Sequence, residues 1–471
     1  MTKSSRTLTL VATAALGGLL FGFDVAIITG AGPFLERHFE LDLLALGWAF
    51  SSLLFGCVLG SAIAGWIADQ YGRRIPLMAV ALVFAASSVA TGLAPTFTLF
   101  IVARFLGGVA VGAESALTPM YISEISPRAM RGRMGAFYQL SIVGGIVVSY
   151  CVNYALHDLG PWNWRWMFMT GAAPAMLFWL MLWRVPESPR FLVLKGRIDE
   201  ASAVLAGWLT PAEMGAEIAA IQGSFTQLSS TWNELRNPAL RRPIGIGFVL
   251  AILIQFSGIA TIVDYAPRIF QSTGWSIDVA LFSTFSVGFT MFVFTVVSFW
   301  FIDRRGRIPM YVTGSLGMAV ALLGLTVAAA IGHFTGGVVL ALIVVYLAAF
   351  CSCIGPVFWT LVPEILPNRV RGKAMTVPVL TQWVANAIVV LLFPVAFQHV
   401  GKVGTFSFLA AVALFQAWFT WRWVPETKGR SLEEIGQFWE SDARSPAIPT
   451  VICIVSSSAG ATNFRPHNIG D

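Results

Sequence analysis

Residues 104–133 read RFLGGVAVGAESALTPMYISEISPRAMRGR, and this stretch decides how the rest of the chain is interpreted. It places Arg104 and, about three helical turns later, Glu114 inside an apolar segment. A charge in the middle of a membrane-spanning helix costs about 3 kcal/mol or more, so it usually lines a polar cavity and serves a function. The stretch ends in a charged hinge, SEISPRAMRGR, and a second version of that hinge, GPVFWTLVPEILPNRVRGK, follows at residues 355–373. The sequence therefore contains buried charges and an internal duplication.

The composition indicates a helical membrane protein. Of the 471 residues, 56% are hydrophobic and 11% are charged, whereas soluble domains carry about 25% charged residues. Only helices and closed barrels satisfy every backbone group in lipid, and the apolar runs here are continuous rather than alternating. We therefore predict an all-α membrane protein with twelve transmembrane helices in two six-helix halves. The predicted spans lie at roughly residues 8–30, 47–68, 76–94, 97–122, 135–156, 166–183, 244–270, 280–302, 309–331, 338–361, 374–400 and 404–423.

Further short motifs also occur twice. GWIADQYGRR at 65–74 returns as FWFIDRRGR at 299–307, and VPESPRFL at 185–192 returns as VPETKGRSL at 424–432. Paired halves of this kind are a transporter architecture, with the site at their interface near the bilayer midplane. The predicted division is an N-terminal half at 1–185, a cytoplasmic linker with short helices at 186–243, a C-terminal half at 244–436 and a disordered tail at 437–471.

The distribution of charge predicts the orientation. The formal net charge is +6, and the basic loop residues are concentrated in alternate loops, as the positive-inside rule requires of cytoplasmic loops. Both termini are then cytoplasmic, in a multi-pass protein of the cell inner membrane. Because membrane orientation accounts for the positive charge, no nucleic-acid partner is expected.

The sequence offers no motif for catalysis or for a metal. Cys351 and Cys353 lack partner ligands at metal spacing, and the five cysteines imply no disulfide framework. No Walker loop or nucleophile elbow occurs in the chain. We therefore expect neither an enzyme nor a cofactor, and ATP is excluded as the driving force.

The motifs resemble those of the sugar porter family of the major facilitator superfamily. The resemblance rests on RFLGG…PMYISEISP…RG, GPVFW…PEILP…RG, PESPRFL and PETKGRSLEEI, and it covers roughly residues 8–436. The D-x-x-G-R-R loop alone would indicate only the superfamily. The nearest pattern is that of bacterial proton-coupled pentose and hexose symporters. The resemblance implies the major facilitator fold and secondary transport of a sugar or related polyol, and we expect a monomer.

Asp24 lies near the middle of the first predicted helix, where proton-coupled family members have an aspartate that faces the arginine matched by Arg104. A buried carboxylate without a partner would be neutral, because desolvation disfavours its charge, whereas an adjacent guanidinium would keep it ionised. A carboxylate that gains and loses this partner as the halves move can bind and release a proton. The alternative is a static ion pair between two helices. The family pattern does not supply Glu114. It is a partner of Arg104 or of a backbone group, or else a further proton carrier or a partner of a less usual polyol or of a cationic or amino-bearing solute.

Family sugar ligands are amide and indole side chains, which bind hydroxyl groups and stack on the sugar ring. The matching positions and lining residues are Phe21, Gln139, Gln255, Tyr265, Gly355, Trp359, Gln382, Trp383 and Asn386. Packing or interfacial anchoring is the alternative for the tryptophans. Polar family residues are absent at Ile146, Ile254, Ala260 and Met291. Asp264 replaces the first of two usual tyrosines. It is either a solvated residue of the outer surface or part of an altered site, as a further proton carrier or as a partner of a less usual polyol or of a cationic or amino-bearing solute.

The duplicated loops carry acids and bases at helix ends on the predicted cytoplasmic face. We predict that they latch the two halves when this side is closed and so stabilise the outward-open state. Ordinary solvated loop charge is the alternative. The predicted gate residues are Asp69, Arg73, Arg74, Glu124, Arg131, Glu187, Asp303, Arg304, Arg307, Glu364, Arg371 and Glu426.

The sequence thus predicts a secondary active transporter that performs proton-coupled symport of a sugar or related polyol by alternating access. The proton gradient drives it, and its partners are the solute, protons and the lipid bilayer. Facilitated diffusion of a sugar or polyol is one alternative, against which Asp24 argues. Proton-coupled transport of a non-sugar polar solute is the other, since several family amides are missing.

Overall fold

The computed structural model describes residues 3–126, 131–207, 209–227, 234, 237–367, 370–428 and 439. The side chains of residues 3–9, 14, 131–133, 212, 224–227, 238–239 and 302–304 lie outside that description. Within the described residues every regular element is a helix, as the composition predicts. The α-helices are α1 (Lys3–His38), α2 (Leu43–Tyr71), α3 (Arg74–Leu93), α4 (Phe97–Ile125), α5 (Arg131–Leu156), α6 (Asn163–Met169), α7 (Ala172–Leu182), α8 (Pro189–Leu194), α9 (Ile198–Leu205), α10 (Pro211–Gln227), α11 (Pro238–Phe256), α12 (Ile259–Asp264), α13 (Ala266–Gln271), α14 (Ile277–Arg305), α15 (Arg307–Ala330), α16 (Gly336–Ala349), α17 (Gly355–Ile365), α18 (Arg371–Ala374), α19 (Thr376–His399) and α20 (Gly401–Trp423).

The described residues contain eleven helical spans that are long and apolar enough to cross a membrane. The predicted span at 166–183 is instead divided into α6 and α7. The Thr170 hydroxyl donates to the Met167 carbonyl oxygen at 2.7 Å and competes with the helical pattern there. Pro174, in the first turn of α7, has no amide hydrogen to offer the carbonyl four residues back. The two pieces together still cover the length of the predicted crossing.

The helix packing repeats with the sequence. In the first set of spans, α1 to α7, α1 packs on α5, α2 on α4 and α3 on α7. In the second set, α11 to α20, the equivalent pairs α11 with α19, α14 with α16 and α15 with α20 are also packed together. Between the sets, α2 packs on α19 and α5 packs on α14. Because the second span of each set meets the fifth span of the other, the two sets are related by an approximate twofold axis.

Glycine permits backbone contacts both within and between the sets. A Cβ atom added to Gly108 of α4 would overlap the carbonyl oxygen of Leu53 in α2. One added to Gly47 of α2 would overlap the carbonyl oxygen of Leu391 in α19. Small residues allow helices to approach this closely in a membrane. The first contact holds one set together, and the second brings the two sets against each other.

Between the two sets lie α8, α9 and α10, the short helices predicted for the linker. Leu192 of α8 packs with Ala201 of α9 in a small apolar cluster. Near the end of the chain, Trp439 is buried and donates its indole N–H to the Ile365 carbonyl oxygen at 2.8 Å. Trp439 is the described residue of the tail predicted at 437–471, and the other residues of that tail lie outside the described ones.

Candidate coupling and solute-binding site

Asp24 and Arg104 form a buried ion pair between α1 and α4. Arg104 Nη1 donates to Asp24 Oδ1 at 2.6 Å, and Arg104 Nη2 donates to the Asp24 main-chain oxygen at 3.4 Å. Only 5% of Asp24 and 2% of Arg104 is exposed, and the guanidinium lies 5.2 Å from the centre of the Phe168 ring. Asp24 Oδ2 accepts no hydrogen bond from the described residues. The two residues are therefore in direct contact, and one carboxylate oxygen remains free.

Glu114 lies on the same helix as Arg104, but its described contact is with another residue. The separation of 114 − 104 = 10 residues corresponds to about 15 Å along the axis of α4. The Glu114 side chain is buried against Gly17 of α1, where an added Cβ would lie 2.7 Å from Glu114 Oε1. Tyr138 OH donates to Glu114 Oε2 at 3.4 Å. Among the described residues, the hydrogen-bond partner of Glu114 is therefore a tyrosine rather than Arg104 or a backbone group.

Asp264 is buried, and it lies at the interface between the two sets. It is the last residue of α12, with 5% of its surface exposed. It lines a crevice together with Thr29 and Pro33 of α1 and Phe50 of α2. In this conformation Asp264 is therefore not a solvated surface residue, because the contact between the two sets covers the end of α12.

Three amide side chains of the second set carry unused hydrogen-bond acceptors. Gln255 Oε1, Gln382 Oε1 and Asn386 Oδ1 are buried atoms that accept no hydrogen bond from the described residues. Such atoms are normally satisfied, so these oxygens fit a ligand that is rich in hydroxyl donors. Trp383, also on α19, makes an edge-on contact with Phe21 of α1, with ring centres 5.9 Å apart. Trp383, which makes the aromatic contact between the sets, thus follows Gln382 directly in the sequence.

Three other predicted lining residues stand apart from this group in the described contacts. Gln139 is half-buried on α5, and Gly355 is half-buried at the first residue of α17. Trp359 is 45% exposed, and its described ring contact is an edge-on one with Phe358 of the same helix. Trp359 is therefore at an exposed position, and its described ring contact is not with Phe21 or Trp383.

The seventh and tenth spans are discontinuous, which the sequence analysis did not predict. Gly258 adopts φ +98° between α11 and α12, a left-handed conformation that favours glycine. The Ser257 carbonyl at this break accepts a hydrogen bond from Tyr346 OH at 3.1 Å. In the tenth span, Phe350–Ile354 form a π-helix immediately before Gly355. Such interruptions are typical of functional sites in membrane helices, and the S-G-I and I-G-P sequences are the signals that could have indicated them.

A compact charge cluster lies at the end of the molecule formed by the α2–α3 loop, here called the basic end. Arg73 Nη2 donates to Glu124 Oε1 at 2.8 Å, and the Ser188 hydroxyl donates to the other oxygen of that carboxylate. Glu187 accepts main-chain hydrogen bonds from Arg73 at 2.9 Å and from Arg74 at 3.2 Å. The Glu187 carboxylate therefore caps the N-terminus of α3, where the helix dipole favours negative charge.

The second set repeats this cluster contact by contact. Arg307 pairs with Glu364 at 3.1 Å, and the Thr427 hydroxyl donates to the same carboxylate. Glu426 accepts main-chain hydrogen bonds from Arg307 and Ile308, each at 3.0 Å, and so caps α15. The duplication in the sequence is therefore also a duplication of contacts.

The two clusters differ from the predicted latch, because the ion pairs described here join helices of one set. Ser188 and Thr427 are not among the residues predicted from the sequence, although a hydroxyl residue follows the glutamate in both copies and is the signal that could have indicated them. Asp69 is exposed, and Arg371 donates to the Leu366 carbonyl oxygen at 3.1 Å. The side chains of three further predicted gate residues, Arg131, Asp303 and Arg304, lie outside the described residues.

At the opposite end, the two sets contact each other. Tyr265, predicted to line the solute site, stacks on Phe50 of the first set with ring centres 4.3 Å apart and donates to the Val390 carbonyl oxygen at 2.9 Å. Arg268 Nη1 lies 2.7 Å from Glu36 Oε2 across the same interface. These contacts close the opposite end, and Tyr265 is one of the residues that form them.

Known proteins are similar in sequence to this chain over nearly its full length. Residues 10–439 match the family described as "Sugar (and other) transporter". The chain is 36% identical to the D-xylose-proton symporter of Escherichia coli strain K12, over 93% of this chain and 96% of that protein. It is 34% identical to the arabinose-proton symporter of Bacillus subtilis strain 168, over 90% of this chain and 93% of that protein. A glucose transport protein of Synechocystis is 36% identical, over 90% and 95% respectively.

Solved structures share the fold as well. The proton:xylose symporter XylE bound to 6-bromo-6-deoxy-D-glucose matches with a TM-score of 0.79 at 34% identity, covering 93% of this chain and 100% of that chain. The inward-open conformation of XylE from E. coli matches with a TM-score of 0.81 at 32% identity, covering 92% and 99%. The fold is thus the major facilitator fold that the motifs predict, and the protein is a membrane transporter rather than an enzyme. The chain belongs to the sugar transporter family of the major facilitator superfamily.

Proposed function

We propose that this chain is a proton-coupled symporter that moves a sugar or related polyol across the cell membrane by alternating access. The observation that carries the proposal is the buried pair of Asp24 and Arg104. A purely structural pair is expected to be fully hydrogen-bonded, because buried unsatisfied groups are costly. Asp24 Oδ2 and Arg104 Nε both lack a hydrogen-bond partner among the described residues. The two relatives named as proton symporters also support coupling.

In the proposed cycle the carboxylate of Asp24 is the group that titrates, since the Arg104 guanidinium stays charged at all relevant pH values. Proton binding to Asp24 from the outer side weakens the pair and allows the two sets to rock about the bound solute. Proton release on the inner side restores the pair. The proton gradient then drives solute accumulation without a cofactor.

The proposed solute site joins the free amides of the second set to the aromatic contact between the sets. Gln255, Gln382 and Asn386 accept hydrogen bonds from solute hydroxyl groups, and Phe21 and Trp383 pack against the apolar face of the solute. Gln139, Gly355 and Trp359 belong to the same proposal as further lining residues.

Several departures from the family pattern bear on the identity of the solute. Ile254 and Ala260 stand where the family supplies amides, and a buried hydroxyl left unpaired costs about 1–3 kcal/mol. A solute that relies on those two contacts would therefore bind weakly. A polyol, or an aldose that presents fewer hydroxyls to the seventh span, fits the remaining amides better.

We further propose that the basic end faces the cytoplasm, with both chain termini on that side, and that the protein acts as a monomer in the cell inner membrane. The positive-inside rule supports this orientation. The predicted halves, 1–185 and 244–436, then move as units joined by the 186–243 linker. The latch between the halves, which would form when the cytoplasmic side closes, stays a prediction, because the described ion pairs of the basic end lie within each set.

Counterflow in proteoliposomes tests the proposal, with a panel of pentoses, hexoses, inositols and sugar acids and with pH recorded. We expect exchange of at least one sugar or polyol, and uphill uptake driven by an inward proton gradient. Asp24→Asn should keep exchange and lose uphill uptake, because the amide cannot release a proton. Asp199→Asn, which removes an exposed acid of α9, is the matched control.

Each result of this assay has a separate meaning. Uphill uptake that survives in Asp24→Asn would refute the coupling role. Wild-type uptake that is independent of the proton gradient would indicate facilitated diffusion instead. If no sugar or polyol exchanges, the solute assignment fails while the family assignment stands.

A further inference from the structure

The buried charges differ in how they are compensated. Among the described residues, the buried charged side chains are Asp24, Arg73, Arg104, Glu114 and Asp264. Asp24, Arg73 and Arg104 belong to ion pairs. Glu114 receives a hydrogen bond from a tyrosine of its own set. Asp264 is the buried acid that lies where the two sets meet, so its surroundings change whenever that end of the molecule opens.

The charged groups around Asp264 are already paired with one another. Glu36 and Arg268, which line the same crevice, pair at 2.7 Å. Asp24 and Arg104, which lie deeper along α1 and α4, pair at 2.6 Å. Asp264 is close enough to Arg104 for an electrostatic interaction, but the direct contact of that guanidinium is with the other carboxylate. Asp264 is therefore not the acid that neutralises either base.

The remaining neighbours of Asp264 carry no counter-charge. Tyr150 of α5 interacts with it electrostatically, and Tyr265 follows it in the chain. The residues of α2 that line the crevice, Leu46 and Phe50, are apolar. A buried carboxylate without a counter-charge is too costly to stay ionised, so closure of this end requires a proton on Asp264.

Opening of the same end has the reverse effect. When the two sets separate there, as alternating access requires, water reaches Asp264 and the carboxylate ionises at neutral pH. We propose that Asp264 is a proton-binding site of the opposite end, which closes with a proton on Asp264 and opens by returning that proton to the same side. The inference rests on the proposed transport cycle, but the proton held by Asp264 is not the transported one.

Because one proton is bound on closure, both the direction and the size of the pH dependence can be stated. The ratio of closed to open molecules changes about tenfold per pH unit and rises as pH falls, wherever Asp264 is ionised in the open form and protonated in the closed form. Asp264→Asn is neutral in both forms, so it removes this dependence. At neutral pH it also shifts the population toward closure.

His157 is a second titratable group at this end, and its contacts also reach the other set. Its Nε2 lies 3.1 Å from Asp278 Oδ1 of α14 in the other set, and 3.3 Å from the exposed Asp158. The contact with Asp278 joins the two sets at the opposite end. His157→Gln separates this contribution from that of Asp264.

Distances between spin labels across the opposite end measure the population directly. Leu44 and Val400 are exposed, belong to different sets and flank the α2–α19 contact, so each is replaced by a labelled cysteine. The five native cysteines are first replaced, and transport is verified. Purified protein is measured from pH 5 to 8 in the His157→Gln background, alone and with Asp264→Asn, Asp264→Glu or Glu40→Gln. Glu40 is an exposed acid at the same end and serves as the matched control.

As the pH rises, we expect the closed-to-open ratio to fall about tenfold per pH unit in the His157→Gln background. The same slope is expected in the Asp264→Glu variant and in the Glu40→Gln control. The Asp264→Asn variant should show no such slope. A slope that persists in Asp264→Asn overturns the proposal, as does a slope that is also lost in Glu40→Gln. If Asp264→Asn does not fold, the absence of any slope in the background or in Asp264→Glu overturns it equally.

A second measurement separates this inference from the proposed function. The ratio of protons to solute in proteoliposomes should be the same for wild type and Asp264→Asn, and a changed ratio would make Asp264 a coupling carrier and overturn the proposal. If the wild type shows no proton-driven uptake, the symport mechanism is refuted. The pH dependence measured with the spin labels is a separate result and does not depend on that outcome.

Discussion

The two ends of the molecule use ion pairs in opposite ways. At the basic end, Arg73 and Arg307 each pair with a glutamate of their own set, in two matching clusters. At the opposite end, Arg268 pairs with Glu36 across the interface between the sets. A pair within a set survives movement of the sets, whereas a pair between sets must break when that end opens. The comparison indicates that the duplicated charges build rigid halves, and that contacts between the sets decide which end is closed.

The largest expected effect is the loss of a buried arginine from the first cluster. The side chains of Arg73 and Glu124 are only 6% and 8% exposed, so Arg73→Ala leaves a buried carboxylate without its counter-charge. We expect it to lower the free energy of unfolding by about 3–5 kcal/mol. Thermal unfolding of the purified protein in detergent measures the change.

The duplicate cluster provides the control for this experiment. The side chains of Arg307 and Glu364 are 17% and 27% exposed, so water compensates part of the lost interaction. We expect Arg307→Ala to cost less, roughly 1–2 kcal/mol. Equal losses in the two variants would contradict the view that burial distinguishes the clusters.

A smaller effect is expected at the two glycines that precede the capped helices. Gly72 has φ +87° and ψ −163°, and Gly306 has φ +89° and ψ +160°, a region that is essentially restricted to glycine. Alanine at either position should cost about 1–3 kcal/mol through backbone strain. A Cβ on Gly72 would also overlap Glu187 Oε2, whereas one on Gly306 would lie 3.0 Å from Glu426 Oε2.

Unfolding of the two alanine variants should therefore rank them, with Gly72→Ala the less stable. Gly215→Ala in α10, where an added Cβ meets no atom within 4 Å, is the control that should not destabilise. If Gly306→Ala lost more stability than Gly72→Ala, displacement of the capping glutamate would not explain the difference between the two sites.

The smallest expected effect on stability is at the opposite end. The side chains of Arg268 and Glu36 are 25% and 36% exposed, and exposed pairs contribute about 1 kcal/mol or less. Arg268→Gln should leave the unfolding temperature nearly unchanged but reduce the closed-to-open ratio by up to about fivefold, measured by the same spin-label distances.

Lys402→Gln is the matched control for this prediction. Lys402 lies at the same end, but it donates to the Ser272 carbonyl oxygen within the second set at 2.6 Å. Its loss should leave the closed-to-open ratio unchanged. A shift of the population in Lys402→Gln equal to that in Arg268→Gln would contradict the distinction between pairs within and between sets.

The parts of the site that depend on a charge buried in an apolar segment could be predicted from the sequence. Asp24 and Arg104 were expected to meet, and they are in contact. Glu114 and Asp264 were recognised as unusual, but their surroundings were not. Whether Asp264 is solvated depends on which end of the molecule is closed, and no local pattern encodes that. Their roles, like those of the other site residues, remain predictions.

The chain by itself determined the helical class, the approximate spans, the duplication and the positions of the charges in lipid. Lipid leaves the backbone no hydrogen-bond partners except its own, and it penalises each charge at the position where it occurs. Only the tertiary structure decided that Glu114 meets Tyr138, that Tyr265 closes one end and that Asp264 is covered by the first set. These contacts depend on the rotation and approach of helices that are distant in the sequence, and apolar composition specifies neither.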